Sequence, residues 1–358
     1  MLTSKLEFPR PPELQAREPP ESRGLARDEV RLLVTAGEGH AHARFRDLPS
    51  FLSPGDLLVV NESATLPASL PAESARGRFL LNVSTDYGRG LYLVEPRKAD
   101  GTPGPLPLEP GETIDAGAIA GRFVASYPGL PRLWFVQTNG QLESEMAARG
   151  RPIRYGYVDR EYPLDAYQTI FGRVPGSAEM PSAARPFTAR VLAELRRRGV
   201  RRAGLLLHTG VSSLELETEE VENQPMYPEP FRVPAATAEA VERTRWTGHR
   251  VIAVGTTVVR ALESAWNGER VVPASGFTRR YVHPGNPVHS VDGLLTGFHD
   301  SRTTHLALLY ALARPQLIRD AYAEAVDRGY LWHEFGDTHL ILPEGAPTAE
   351  PGRRSVAS

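Results

Sequence analysis

The chain has 358 residues, of which 41% are hydrophobic, with 41 basic residues against 43 acidic ones, a formal net charge of −2, and no cysteine. That length and apolar content are enough to bury a full core, and two domains are expected. The balanced charge leaves no bulk nucleic-acid footprint, only room for a local basic patch, and the missing cysteine excludes disulfides, thiolate nucleophiles, iron–sulfur clusters and cysteine zinc sites.

The first residues, Met1 to Arg10, contain no uninterrupted apolar stretch of the kind a signal peptide needs. No run of 18 apolar residues follows, so no membrane span is expected, and a reducing, cytoplasmic compartment is compatible. Residues 9–30, rich in Pro, Glu and Arg, read as an extended arm. Arg31–Val34 predicts a short strand. His40-Ala41-His42 falls in what reads as a turn. Leu57-Leu58-Val59-Val60-Asn61 is a continuous apolar run ending in a polar residue, which fits a buried strand with Asn61 at its tip.

Between about 69 and 152 the texture changes. Short strand candidates (Arg78–Val83, Gly90–Glu95, Gly121–Tyr127, Leu133–Gln137) are separated by turn residues, which predicts a small β barrel or sandwich. Only Leu142–Arg149 in this block reads as helix. After about 165, strand and helix alternate. Thr188–Arg198 is a helix stopped by Gly199, and Ala203–His208 is a strand. Ala235–Trp246 is a helix and Val251–Val254 a strand. Thr256–Trp266, Thr303–Leu312 and Leu317–Asp327 are helices, and Thr338–Leu342 is a closing strand. The alternation predicts a mostly parallel sheet. The expected architecture is therefore a discontinuous α/β domain (1–68 and 153–342) with an inserted β-barrel domain (69–152), and a tail at 343–358 too rich in Pro, Gly and Ala to order.

Several apolar runs end in polar residues: Leu205-Leu206-Leu207-His208, Val251 to Thr257, Leu294 to His299, and Phe335-Gly336-Asp337. In parallel α/β sheets, ligands collect at the carboxyl ends of strands, so these tips point to one site. Gly255-Thr256-Thr257, where a strand gives way to a helix, offers free N–H groups and the helix dipole to an anion; an ordinary N-cap threonine would read the same way. His208 and His299 are candidates for acid or base work. There is no H-E-x-x-H, so no metal site is expected, and no P-loop or G-x-G-x-x-G fingerprint occurs. The Arg196-Arg197-Arg198 run, with Arg201 and Arg202, reads better as a solvated helix end than as a nucleic-acid patch.

Taken together, several stretches resemble one family. Phe45-Arg46-Asp47-Leu48-Pro49, Pro54 to Asn61, Tyr167-Gln168-Thr169, Val251 to Thr257, Arg260-Ala261-Leu262-Glu263-Ser264, Phe298-His299 and Phe335-Gly336-Asp337 are similar, in order, to motifs of the S-adenosylmethionine:tRNA ribosyltransferase-isomerases of queuosine biosynthesis. The resemblance implies an α/β domain interrupted by a β barrel. It also implies S-adenosylmethionine as a consumed substrate rather than a methyl donor, with no further cofactor. In that reaction the ribosyl group passes to 7-aminomethyl-7-deazaguanine in tRNA and rearranges, while adenine and methionine leave. The chemistry calls for a base to remove the C5′ hydrogen beside the sulfonium, donors for ribose oxygens, and clamps for the methionine ends. His208, His299, Glu229 and Asp337 are the catalytic candidates. Asn61, Gln168, Gly255, Thr256, Thr257, Arg260, Phe298 and Thr304 are the binding candidates. Glu229 or Asp337 would face a cationic group, and Arg260 a carboxylate or phosphate.

The chain departs from the family pattern at several strand tips. Arg185-Pro186 stands where the family has Leu-His, Thr209 where it has Val, Tyr227 where it has His, and Asp300 where it has Leu. A proline lacks the donors and proton chemistry of a histidine. Two further readings therefore stay open beside the family reaction: cleavage of S-adenosylmethionine with a small-molecule acceptor, and non-catalytic binding of S-adenosylmethionine or RNA. The oligomeric state is not legible.

Overall fold

The computed structural model describes residues 1–37, 39–211 and 215–342; the tail expected at 343–358 lies outside them. In chain order the elements begin with β1 (Arg31–Ala36), β2 (Gly39–Arg44), β3 (Leu57–Asn61) and β4 (Ser63–Thr65). Six strands follow: β5 (Ser69–Ser74), β6 (Gly77–Asp86), β7 (Leu91–Lys98), β8 (Thr113–Ala116), β9 (Ile119–Tyr127) and β10 (Leu130–Thr138), with α1 (Leu142–Arg149) after them. The chain continues through β11 (Val174–Ser177), α2 (Ala189–Arg197), β12 (Arg201–Leu207), β13 (Glu229–Val233), α3 (Ala235–Trp246), β14 (Val251–Val254) and α4 (Thr256–Ser264). It closes with β15 (Ala274–Thr278), β16 (Gly293–Gly297), α5 (Thr304–Leu312), α6 (Pro315–Asp327) and β17 (Thr338–Ile341).

Two bodies result. A nine-stranded sheet has the order β15-β13-β12-β3-β14-β16-β17-β1-β2, and β10-β7-β6-β5-β8-β9 close into an antiparallel barrel. The centre of the large sheet, β12-β3-β14-β16, is parallel throughout. β3 explains why. Leu57 and Val59 pack into the core on one face of the sheet, and Leu58 and Val60 into the core on the other. A strand buried on both faces is apolar nearly throughout, as this one is up to the polar Asn61 at its tip. Burying any one of these side chains contributes about 1.5–3 kcal/mol.

The edges of the sheet are less regular. β17 runs antiparallel to β16 but parallel to β1, so the start of β17 lies beside the end of β16, with Gly297 opposite Thr338. Two sequence expectations need correction here. His40-Ala41-His42 is not a turn but part of β2, an edge strand antiparallel to β1. Its exposed side chains give little apolar alternation, which hides the period; His42 instead hydrogen-bonds the Tyr330 hydroxyl and Glu324. Nor do residues 9–30 form a free arm. They are short turns folded onto the body, where Ala16, Pro20 and Asp28 are buried and Arg23 and Arg27 donate to the backbone of Phe335 and Gln168.

Local signals set the helix starts that matter for the site. Thr303 caps α5 by accepting a hydrogen bond from Leu306 N–H. Gly255 precedes α4 with φ +94°, a backbone conformation that side-chain-bearing residues rarely adopt. The arginine run Arg196–Arg198 lies at the opposite end of the sheet, since Arg201 pairs in register with Leu57 at the start of β3. There Arg197 and Arg198 bond Glu194, and Arg201 bonds Gly55 and Thr244. No helix among the described residues is long and apolar enough to cross a membrane.

Candidate active site

A cleft of about 1130 Å³, counted out to the solvent it opens onto, lies over the carboxyl ends of β14 and β16. Gly255, Thr256 and Thr257 form one side, at the start of α4. Arg260, one turn further on, reaches back along the helix, as side chains in helices do. It is 9% exposed. Its guanidinium donates through Nη1 to the Glu229 carboxylate and through Nε to the Arg280 carbonyl at 2.9 Å. Arg260 lines this cleft and the small pocket beside it, and its buried Nη2 has no hydrogen-bond partner among the described residues. The hydroxyl of Thr209, a residue 4% exposed that also lines the cleft, is likewise unpartnered. Helix start, guanidinium and hydroxyl together make a donor-rich pole suited to a carboxylate, with the Arg260 charge itself balanced by Glu229.

His299 sits between the strand end and α5. Its Nε2 shares a 2.8 Å hydrogen bond with the Thr296 hydroxyl, and its ring stacks on His305 at 4.8 Å. Burial, with help from the charges that His305, His333 and His339 would carry, holds its pKa well below the usual histidine value. The imidazole is therefore neutral at pH 7. Phe298 beside it is buried against Trp332, with ring centroids 4.8 Å apart, and stacks on His339.

The facing wall has a different chemistry. Tyr155, Tyr157 and His333 stack face to face, with centroids at 5.7 Å and then 4.3 Å. The Tyr155 hydroxyl donates to Glu179, and His333 Nε2 lies 3.2 Å from Asp300, which Arg10 also approaches at 2.8 Å. Glu334 Oε1 is buried without a hydrogen-bond partner among the described residues. Burial, reinforced by Glu179 and only partly relieved by Arg185, pushes its pKa up to about 8.

The cleft thus brings together Gly255, Thr256, Thr257, Arg260, Phe298 and His299 among the residues singled out from sequence. Thr304 lines a small adjoining pocket with Glu229 and Arg260. The others have different surroundings. His208 turns to the Ser63 hydroxyl at 2.7 Å, with Ser177 beyond, and burial lowers its pKa; its neighbour Thr209 enters the cleft instead. Asn61 spans to both backbone groups of Leu207, and Gln168 does the same to Thr65. Glu229 and Asp337 each face a cationic group of the protein itself: Glu229 is matched by Arg260 and Gly210 N–H, and Asp337 by Arg31 and Leu331 N–H. Their charges are spent within the protein.

Sequence reasoning missed Tyr155, Tyr157, Glu179, His305, His333 and Glu334. The Tyr155-Gly156-Tyr157 loop, with two aromatics in a polar linker, was the one visible signal.

A family model described as queuosine biosynthesis protein matches residues 3–341. The S-adenosylmethionine:tRNA ribosyltransferase-isomerase of Thermus thermophilus is 38% identical over 340 residues, covering 93% of this chain and 97% of that protein. That of Moorella thermoacetica is 35% identical over 353 residues, covering 96% and 100%. The crystal structure of S-adenosylmethionine tRNA ribosyltransferase from Thermotoga maritima superimposes with a TM-score of 0.53 at 27% identity, covering 95% of this chain and all of the other.

Proposed function

The chain belongs to the queuosine biosynthesis protein family, and from that premise we propose that it is an S-adenosylmethionine:tRNA ribosyltransferase-isomerase. It transfers the ribosyl group of S-adenosylmethionine to 7-aminomethyl-7-deazaguanine in tRNA, rearranges it, and releases adenine and methionine. One observation carries the assignment of roles: the donor-rich pole at Thr256, Thr257 and Arg260 shares a cleft with the neutral imidazole of His299. The pole receives the methionine carboxylate. With that end fixed, the C5′ hydrogen beside the sulfonium is acidified by the positive sulfur, and His299 takes it as general base. The Thr296 hydroxyl and the His305 ring hold the imidazole in place. Thr209 adds a donor to the pole. His208, Asn61 and Gln168 act at a distance by fixing the strand ends that carry these groups.

The test is direct. Purified protein is given S-adenosylmethionine, with and without tRNA bearing the aminomethyl deazaguanine, and adenine and methionine are measured. Release that requires the tRNA supports the proposal. Release without tRNA favours a small-molecule acceptor, and binding without any release would leave a non-catalytic binder.

A further inference from the structure

We propose that Glu334, on the aromatic wall of the cleft, receives the aminomethyl group of the acceptor base and takes a proton from it. This rests on the reading just given and assigns the half of the cleft that reading leaves unused.

Both substrates bring charge. S-adenosylmethionine carries a carboxylate, which meets the N–H donors of the helix start and Arg260. The acceptor carries a primary alkylamine, a cation at neutral pH that cannot attack until it loses a proton. The amine needs a carboxyl oxygen that is not already paired inside the protein. Glu229 and Asp337 are matched internally, whereas Glu334 presents a buried oxygen with no partner among the described residues. The stacked rings of Tyr155, Tyr157 and His333 stand beside it. Flat aromatic surfaces are how proteins receive a base taken out of its stack, and they also favour a nearby cation. His333 holds φ +73°, a strained conformation for a residue with a side chain, which fixes where Glu334 emerges from the loop.

Two charged residues flank this wall, Arg185 and Asp300. Arg185 is one of the charges that act on Glu334, and Asp300 pairs with His333.

The step is a proton transfer. One N–H bond of the ammonium breaks and its electron pair stays on nitrogen as the nucleophile's lone pair. Glu334 becomes a neutral acid, which later releases the proton to solvent. The charged and titratable groups around Glu334 are Glu179, held by Tyr155; Arg185, paired with Glu21; His333, paired with Asp300; Tyr157 and Tyr167; and Arg23, bonded to the Phe335 carbonyl. Burial and the Glu179 charge keep Glu334 protonated in the empty cleft below pH about 8. The ionised, proton-accepting form therefore gains population as pH rises through that value.

The experiment compares wild type, Glu334→Gln and Glu334→Asp. Calorimetry with S-adenosylmethionine alone reads the donor side. Adenine release with tRNA bearing the aminomethyl base, at pH 6.5 to 9, reads the acceptor side. Binding of that tRNA against one carrying ordinary guanine reads recognition of the amine. Glu334→Gln is expected to bind S-adenosylmethionine within twofold of wild type, to lose at least thirtyfold in kcat/KM for tRNA, to lose the rise in rate near pH 8, and to stop preferring the aminomethyl tRNA. Glu334→Asp should recover part of each. A loss of S-adenosylmethionine affinity as large as the loss toward tRNA, or an unchanged pH profile, would overturn the assignment while wild-type turnover still upheld the family reaction. A wild type that releases no adenine with this tRNA would overturn both.

Discussion

The pair formed by Glu229 and Arg260 allows structure and function to be separated in one set of variants. Glu229 is 2% exposed and Arg260 9%. Arg260→Gln leaves the Glu229 carboxylate buried with Gly210 N–H as its remaining donor; Glu229→Gln leaves the guanidinium without its counter-charge. Breaking a buried pair from one side costs about 3–5 kcal/mol, because the surviving charge stays desolvated. Removing both charges takes that penalty away. The double variant should therefore lose about 1–2 kcal/mol, far less than the two single losses added, with a coupling of at least about 2 kcal/mol. Urea unfolding of the four proteins at one pH measures this. Single variants within 1 kcal/mol of wild type, or a double variant equal to the sum, would refute the claim that the pair is a closed, buried unit. Calorimetry then reads the function. Arg260→Gln and the double variant both lack Nη2, whose charge-assisted bond to the methionine carboxylate is worth about 1.5–3 kcal/mol. Both should bind S-adenosylmethionine about 10- to 100-fold more weakly, although only one is badly destabilised. Equal affinity across the set would remove Arg260 from the carboxylate pole.

Other outcomes follow from the same geometry. His299→Asn should lower adenine release at least tenfold with little change in melting temperature; near-normal turnover would exclude His299 as the base. Burial lowers the pKa of His339 from 6.5 to about 3, so the folded state binds fewer protons than the unfolded one. Its contribution to stability is present above pH 6.5 and is lost as pH falls toward 3. His339→Gln should therefore flatten the fall in urea midpoint over that window, and an unchanged slope would contradict it. Glu334 has the opposite sign. Its raised pKa favours the folded state below pH 4.5 and penalises it increasingly as pH rises to about 8, so Glu334→Gln should raise the melting temperature at pH 9 by a few degrees while leaving it unchanged at pH 4. Gly255→Ala, at φ +94°, should cost about 1–2 kcal/mol in the same urea assay. Ala183 Cβ, the nearest side-chain atom outside α4, would be 3.6 Å from the new methyl, so the cost is conformational rather than steric; a neutral substitution would show that the turn before α4 can relax.

The centre of the fold was legible because its strands are buried on both faces. β3 and β14 are apolar at nearly every position, and Gly255, Thr256 and Thr257 follow β14 directly, so strand, turn and helix start could be placed from sequence. β2, β5 and β8 were missed: β2 is an exposed edge, and β5 and β8 are short, with Pro71 inside β5 and only Ile114 and Ala116 buried in β8. β13 and β15 hide for a related reason, with Pro230 in one and Gly276 in the other. At the site, Thr256, Thr257 and His299 were readable as strand tips. The state of Glu229 and Asp337 was not, because each is settled by an arginine from another element, Arg260 in α4 and Arg31 in β1. Sequence shows that a carboxylate exists but not whether its charge is already matched. Glu334 was invisible for the converse reason, since its character comes from burial and from Glu179, 155 positions earlier in the chain.

The short ladder of β4 and β11 has a bearing on the barrel itself. The chain leaves the sheet domain through β4 and returns through β11, and the two are hydrogen-bonded neighbours, with Ser63 opposite Val174. Everything between them is thus closed over a gap of one strand spacing, about 4.8 Å. Closure entropy grows only with the logarithm of length, so an insertion of twice the size would cost about 0.6 kcal/mol more to close. The sheet therefore tolerates a barrel of almost any size between these two strands. What the junction does restrict is direction: a ribbon of paired backbone, clamped at Thr65 by Gln168, resists twisting far better than two separate loops would.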